Sequence, residues 1–179
     1  MKIAFTFTSN DIYYVALTGT KAQPTFNSKD KIALPTNYDI PQTVAWFETQ
    51  LDLILNTLNP DKVSYKLTIN NVSNNYVSNV YYGQAILNLL CHKKGILIGH
   101  TSPASIVVGK FNQPKGTDLH TYLTGLIGSH PPYWDKTMKD TALIALIQLP
   151  LIWTLESLNL SGLLAVEILE KFSEFLTHY

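Results

Sequence analysis

The hydrophobic period of this chain changes along its length in an order that few architectures can accommodate. Residues 2–8 alternate, with Ile3, Phe5 and Phe7 on one face and Ala4, Thr6 and Thr8 on the other, the period of a strand. Ser9-Asn10-Asp11 supplies turn chemistry, and Ile12-Tyr13-Tyr14-Val15-Ala16-Leu17 is a second β-rich run. The first two elements therefore read as a hairpin. A polar stretch with Pro24, Asn27 and Ser28 leads to a third strand, Lys31-Ile32-Ala33-Leu34, stopped by Pro35.

The period then becomes helical. Pro41 opens a helix in which Val44, Phe47, Leu51, Ile54, Leu55 and Leu58 recur through Asn59. Val63, Tyr65, Leu67 and Ile69 alternate as a fourth strand, followed by an Asn-rich loop over 70–75. A second helix spans Ser78 to Lys94, with Gly95 as its stop, and Ile96-Leu97-Ile98-Gly99 is a fifth strand. Ser102-Pro103 starts a short helix, another covers Leu119 to Ile127, and a third runs from Asp135 to about Leu149, where Pro150 kinks or breaks it. The succession β-β-β-α-β-α-β-α predicts an α/β layered domain. Its hairpin is antiparallel, and its strands separated by helices are parallel with right-handed crossovers.

Charge narrows the function classes. All 13 basic residues are Lys, none is Arg, and 13 acidic residues balance them. Arg is the residue that grips phosphate and carboxylate in pairs, and a neutral chain has no overall pull toward nucleic acid or an anionic membrane. The single Cys91 has no internal disulfide partner, which fits a reducing compartment. The start reads as a strand and not as a leader peptide. Thr141–Leu155 carries no charge, but it is about five residues short of a span and contains Gln148 and Pro150. It reads as a buried core helix, and the expectation is a soluble, cytoplasmic protein.

Several phrases carry a resemblance. Asn59-Pro60-Asp61-Lys62-Val63, Gly83-Gln84-Ala85, Thr101-Ser102-Pro103 with Ile106, and Asp140-Thr141-Ala142-Leu143-Ile144-Ala145-Leu146 occur in one order. Together with the element order they resemble the ribonuclease H-like fold, in its RuvC-type Holliday-junction resolvase branch. Lys31-Ile32-Ala33-Leu34 and Ser102-Pro103-Ala104 are similar to a small bacterial family of uncharacterised proteins with this fold. The resemblance implies a ribonuclease H-like mixed sheet over residues 1–149. Residues 150–179 lie outside it, as a helical C-terminal extension packed on the domain or forming an interface.

The resembled family cuts phosphodiesters with two Mg²⁺ or Mn²⁺ ions, which need oxygen ligands from several carboxylates. One acid belongs at the end of the first strand, where this chain has Phe7, or Thr6 in the neighbouring register. A second belongs on the fourth strand, where it has Lys66. A third belongs on the late helix, where Asp140 matches. A further family ligand falls near Thr137. Only Asp140 carries over, and an ammonium beside it would take the metal's place. Asp11 and Asp135 are the relocated acids a rebuilt site would use. Asp135 lies five residues before Asp140, about 140° away around a helix.

Other chemistry is sparse. His92, His100, His120, His130 and His178 lack the i, i+4 spacing of a helical zinc pair. His100 follows the fifth strand, near the fold's cleft. No zinc-protease, nucleophile-elbow or phosphate-loop motif occurs. Tyr76, Tyr81 and Tyr82 pack around a helix start or stack on bases. Lys93-Lys94 and the Lys110, Lys115 pair are solubilising lysines or phosphate contacts. Residues 141–176 are apolar enough to cover the sheet's open side or to form a dimer interface, anchored in that case by Trp153 and Phe172.

The expected function is that of a non-catalytic, degenerate ribonuclease H-like protein, an interaction or assembly module with no cofactor. The partner is another protein, or a second copy through the C-terminal helices. The alternatives are a Mg²⁺- or Mn²⁺-dependent nuclease or junction resolvase with relocated acids, and a nucleic-acid binder that does not cleave.

Overall fold

The computed structural model describes residues 1–68 and 78–151. Strands β1 (Lys2–Phe7), β2 (Asp11–Gly19) and β3 (Pro24–Ala33) come first. Helix α1 (Ile40–Leu58), strand β4 (Lys62–Lys66), helix α2 (Ser78–Lys94) and strand β5 (Leu97–Thr101) follow. Two short 3₁₀ turns, Pro103–Ser105 and Val108–Phe111, lead into α3 (Leu119–Ile127) and α4 (Lys136–Gln148). The sheet order is β3-β2-β1-β4-β5. β2 pairs antiparallel with β1 and β3, while β4 runs parallel to β1 and β5. This is the mixed sheet that the element order predicts.

Each helix has a local reason to start and stop. Asp39 and Gln42 form a reciprocal capping box at α1, with Pro41 in its first turn. Asn59 ends that helix in the left-handed conformation. Gly95, at φ 67°, follows α2, where a side chain would be strained. Asp135 caps α4, its Oδ1 accepting from Met138 N at 2.9 Å.

The sheet is covered on both faces. One side chain set of β1, Ile3, Phe5 and Phe7, packs with Phe47, Leu51 and Leu55 of α1 and Leu87 of α2. The opposite set begins with Ala4 and joins Val15 and Leu17 of β2 to Leu123 of α3 and Met138, Leu143 and Ile144 of α4. Burying each Leu or Ile of this second core contributes about 1.5–3 kcal/mol against the unfolded chain. All residues from Thr141 to Leu146 are buried, so the uncharged stretch is a core helix up to Gln148.

Strand boundaries differ from the sequence reading, and β5 runs Leu97–Thr101, so that His100 lies within the strand and not after it. β3 begins at Pro24 and not near Lys31, so the polar stretch with Asn27 and Ser28 is strand. β3 lies at the sheet edge, where burial imposes no apolar alternation. β4 ends at Lys66, before Leu67. Ile69, the Asn-rich loop and Tyr76 lie outside the described residues, as do Trp153, Phe172 and all but the first two residues of the 150–179 extension.

Candidate functional site at the strand ends

In open α/β sheets, ligands bind beyond the carboxyl ends of the parallel strands. Here those ends bring five side chains together from distant parts of the chain. Lys31 of β3 pairs in register with Tyr13 of β2, and Tyr13 with Thr6 of β1. Continuing the β1–β4 register by one step sets Lys66 beside Thr6, and Lys66 pairs with Thr101 of β5. Register partners project to the same face, so this row faces α4.

Asp140 comes down on the row from α4. Its Oδ2 accepts from Lys66 Nζ at 2.8 Å, and its Oδ1 lies 2.8 Å from His120 Nε2 on α3. The neighbouring Thr141 places Oγ1 within hydrogen-bond distance of Thr6 Oγ1 (2.7 Å) and of the Thr137 carbonyl (2.8 Å). Gln84 of α2 donates to the Lys66 carbonyl at 3.3 Å, and Leu67 N donates to Thr101 O at 3.0 Å, which fix the end of β4. The Lys66, Asp140 and His120 side chains are 23%, 17% and 29% exposed, so the cluster lies at the margin of the core. Burial pushes the Asp140 carboxyl up. The Lys66 ammonium and the His120 ring outweigh it and hold the carboxyl below its ordinary value.

The structure separates the residues the sequence singled out. Phe7 turns away from Asp140 into the opposite core, stacking with Phe5 and meeting Phe47 edge to face. Thr6, in the alternative register, faces α4 at this end of β1. Asp11 pairs with Lys31 at 3.4 Å, and Asp135 is spent on the α4 cap. His100 pairs in register with Tyr65, and its ring lies 5.9 Å from the Tyr65 ring. Tyr65 belongs to the α1–α2 core, so His100 faces away from the row. The histidine at the cluster is His120, which sequence reasoning left among scattered histidines; no short-range spacing links it to Asp140.

The remaining candidates have local explanations. Lys94 pairs with Asp52 at 2.7 Å and Lys93 with Glu48 at 3.9 Å, tying α2 to α1. Cys91 is buried beside the exposed His92, and burial pushes its thiol up to about 11, the setting of an inert core cysteine.

The donor set does not fit two divalent ions. Both Asp140 oxygens already face nitrogen, and the nearest strand positions carry a hydroxyl and an ammonium. Among the described residues no group of three or more His, Cys, Asp or Glu could hold a metal ion. Nor is any helix among them long and apolar enough to cross a membrane.

No family model matches the sequence, and no curated protein matches it. Solved structures do. Thermus thermophilus RuvC in complex with a Holliday junction substrate superposes with a TM-score of 0.66 at 11% identity, covering 82% of this chain and 92% of that one. RuvC of the same organism without the junction gives 0.64 at 12% identity, covering 81% and 92%. The yeast mitochondrial Holliday junction resolvase Ydc2 gives 0.65 at 10% identity, covering 82% and 76%. The fold is thus the ribonuclease H-like fold in its RuvC-like form, as the sequence resemblance implies.

Proposed function

We propose that this chain is a ribonuclease H-like protein that does not cut phosphodiesters and serves as an interaction or assembly module. The observation that carries the reading is the Lys66 ammonium seated on Asp140. A divalent ion brought to that carboxylate meets a positive charge already in place. Two unit charges 4 Å apart repel by about 4 kcal/mol at an effective dielectric of 20, and a doubly charged ion doubles this. With Thr6 in place of a carboxylate on β1, nothing beside Asp140 offsets the repulsion. Asp11 and Asp135 support the relocated-acid reading poorly, since each has another partner.

A second reading keeps nucleic acid as the partner without cleavage. It is favoured by one observation, the likeness to junction resolvases, one of them holding a Holliday junction. It predicts affinity that falls steeply with salt as lysine–phosphate contacts release counterions.

The test is incubation of the purified chain with four-way DNA junctions, single-stranded DNA and RNA–DNA hybrids in Mg²⁺ and in Mn²⁺. The reading predicts intact substrates. Cleavage that disappears in Asp140→Asn would establish the nuclease alternative instead.

A further inference from the structure

The segment that joins α3 to α4, residues 128–134, lies over β3 on the side of the α4 core. Two anchors hold it there. His130 stacks on Phe26 of β3 with ring centroids 3.6 Å apart, and its Nε2 lies 2.7 Å from the Ile127 carbonyl oxygen at the end of α3. Trp134 meets the Phe26 and His130 rings edge to face. Between these anchors Pro131, Pro132 and Tyr133 are exposed.

Tyr133 is held in a costly conformation. Its φ of 63° is left-handed, where a bulky side chain is strained. Among the described residues the other non-glycine residues with positive φ are Asn59 and Asn112, a type that tolerates it. The ring is held from below by two ammoniums: Lys29 Nζ lies 5.9 Å and Lys31 Nζ 5.8 Å from its centroid. Lys29 Nζ also donates to the Pro132 carbonyl. A second cost sits at the anchor. Among the described residues the buried Trp134 Nε1 has no hydrogen-bond partner, and withdrawing such a donor from water is unfavourable. Each cation–π contact at an exposed site shifts a closed-to-open ratio by only about two- to fivefold. Small gains thus oppose two costs of the same order, and backbone outliers held in this way cluster at switch regions.

We infer that residues 128–134 form a strap with two states, closed by Tyr133 over Lys29 and Lys31, and that its opening controls access to these two ammoniums. Lys31 begins the register row that continues through Tyr13 to Thr6, so the strap regulates the charge presented at one end of the strand-end face. Gly128, at φ 83°, supplies the hinge on the α3 side, and the Asp135 cap is the fixed point on the α4 side. The open state relieves the Tyr133 backbone and lets water reach the Trp134 N–H. The closed state keeps the cation–π contacts and the Lys29 bond. The device goes beyond the module reading and uses neither Asp140 nor Lys66.

The experiment is trace acetylation of the lysines of the full chain, read by mass spectrometry, together with solvent exchange of the Trp134 indole hydrogen followed by NMR. Tyr133→Ala removes the ring, and Tyr133→Phe keeps it. The position is exposed, so both variants keep the fold, and circular dichroism verifies it. In Tyr133→Ala, Lys29 and Lys31 should react faster on the order of tenfold, from the loss of two cation–π contacts. The Trp134 indole should exchange faster by a similar factor, and the shielded Lys66 should keep its rate. Tyr133→Phe should behave as the wild type. Faster labelling of Lys29 and Lys31 with unchanged indole exchange would mean that the ring merely covers the lysines, and would overturn the proposal. Equal labelling in wild type and Tyr133→Ala, or an equal rise at Lys66, would overturn it as well. Cleavage of nucleic acid by the same preparation would contradict the module reading and leave these rates unaffected.

Discussion

Lys66 Nζ sits 2.8 Å from Asp140 Oδ2, across the seam between the end of a parallel strand and the helix that covers it. The two residues are 74 positions apart, so the pair exists only in the folded chain. It joins β4 to α4 where the fold leaves its sheet open to ligands. The pair also sets an asymmetry between the partners that mutation can read.

Lysine has a long flexible stem and can carry its charge to water, whereas the aspartate is held at the core margin. Lys66→Met should therefore cost more than Asp140→Asn: about 1–3 kcal/mol against about 1 kcal/mol. Urea unfolding of both variants and of the double variant checks this. Equal costs that add without coupling would show that the pair contributes nothing as a pair.

Acid should weaken the cluster. The folded Asp140 carboxyl lies below its ordinary value of 3.8. Its contribution is thus complete above that value and is lost as pH falls through the lower folded value. Asp61, beside Lys2 and the chain's amino terminus, shifts in the same direction, so the wild-type acid limb has more than one source. The stability difference between wild type and Asp140→Asn isolates the cluster. It should shrink between neutral pH and about pH 3. A difference that stays constant would contradict the assignment.

Asp135 should behave as a helix cap and not as an acid. Asn caps as well as Asp does, so Asp135→Asn should be near neutral while Asp135→Ala costs about 1 kcal/mol. Thermal unfolding distinguishes them. A large effect of Asp135→Asn would return Asp135 to the list of chemically active acids.

At Gly83 helix α2 lies close against the side chains of β1 and α1. A Cβ there would lie 2.5 Å from Phe7 Cδ1 and 3.0 Å from Phe47 Cε1. Gly83→Ala should destabilise by about 1–3 kcal/mol through overpacking. Phe7→Leu, combined with it, should recover part of the loss. An unaffected unfolding midpoint in Gly83→Ala would mean that the two layers are not packed as described.

Some elements of this fold are legible in the sequence and others are not, for physical reasons. The sequence reading of α2, stopped by Gly95, and of α3 has the bounds that the structure shows. β3 was half legible, because an edge strand tolerates Asn27 and Ser28 without an apolar pattern. The alternation of Ile3, Phe5 and Phe7 with Ala4 and Thr6 was visible, but both faces of β1 are buried. Periodicity alone does not say which face meets α4, so the resemblance leaves both Phe7 and Thr6 as the matching position, and only the structure selects Thr6. His120 was invisible for a similar reason. Its link to Asp140 is made by packing α3 on α4, and no local spacing records it.

The proposed function requires that the Lys66 ammonium stand where a metal would sit at Asp140. Calorimetric titration with Mn²⁺ decides this, on the wild type, on Asp140→Asn and on a Thr6→Asp, Lys66→Glu double variant that adds two carboxylates beside Asp140. The account predicts no binding by the wild type up to millimolar Mn²⁺, none by Asp140→Asn, and measurable uptake by the double variant. Saturable binding by the wild type that is lost in Asp140→Asn would contradict it and make Asp140 a metal ligand.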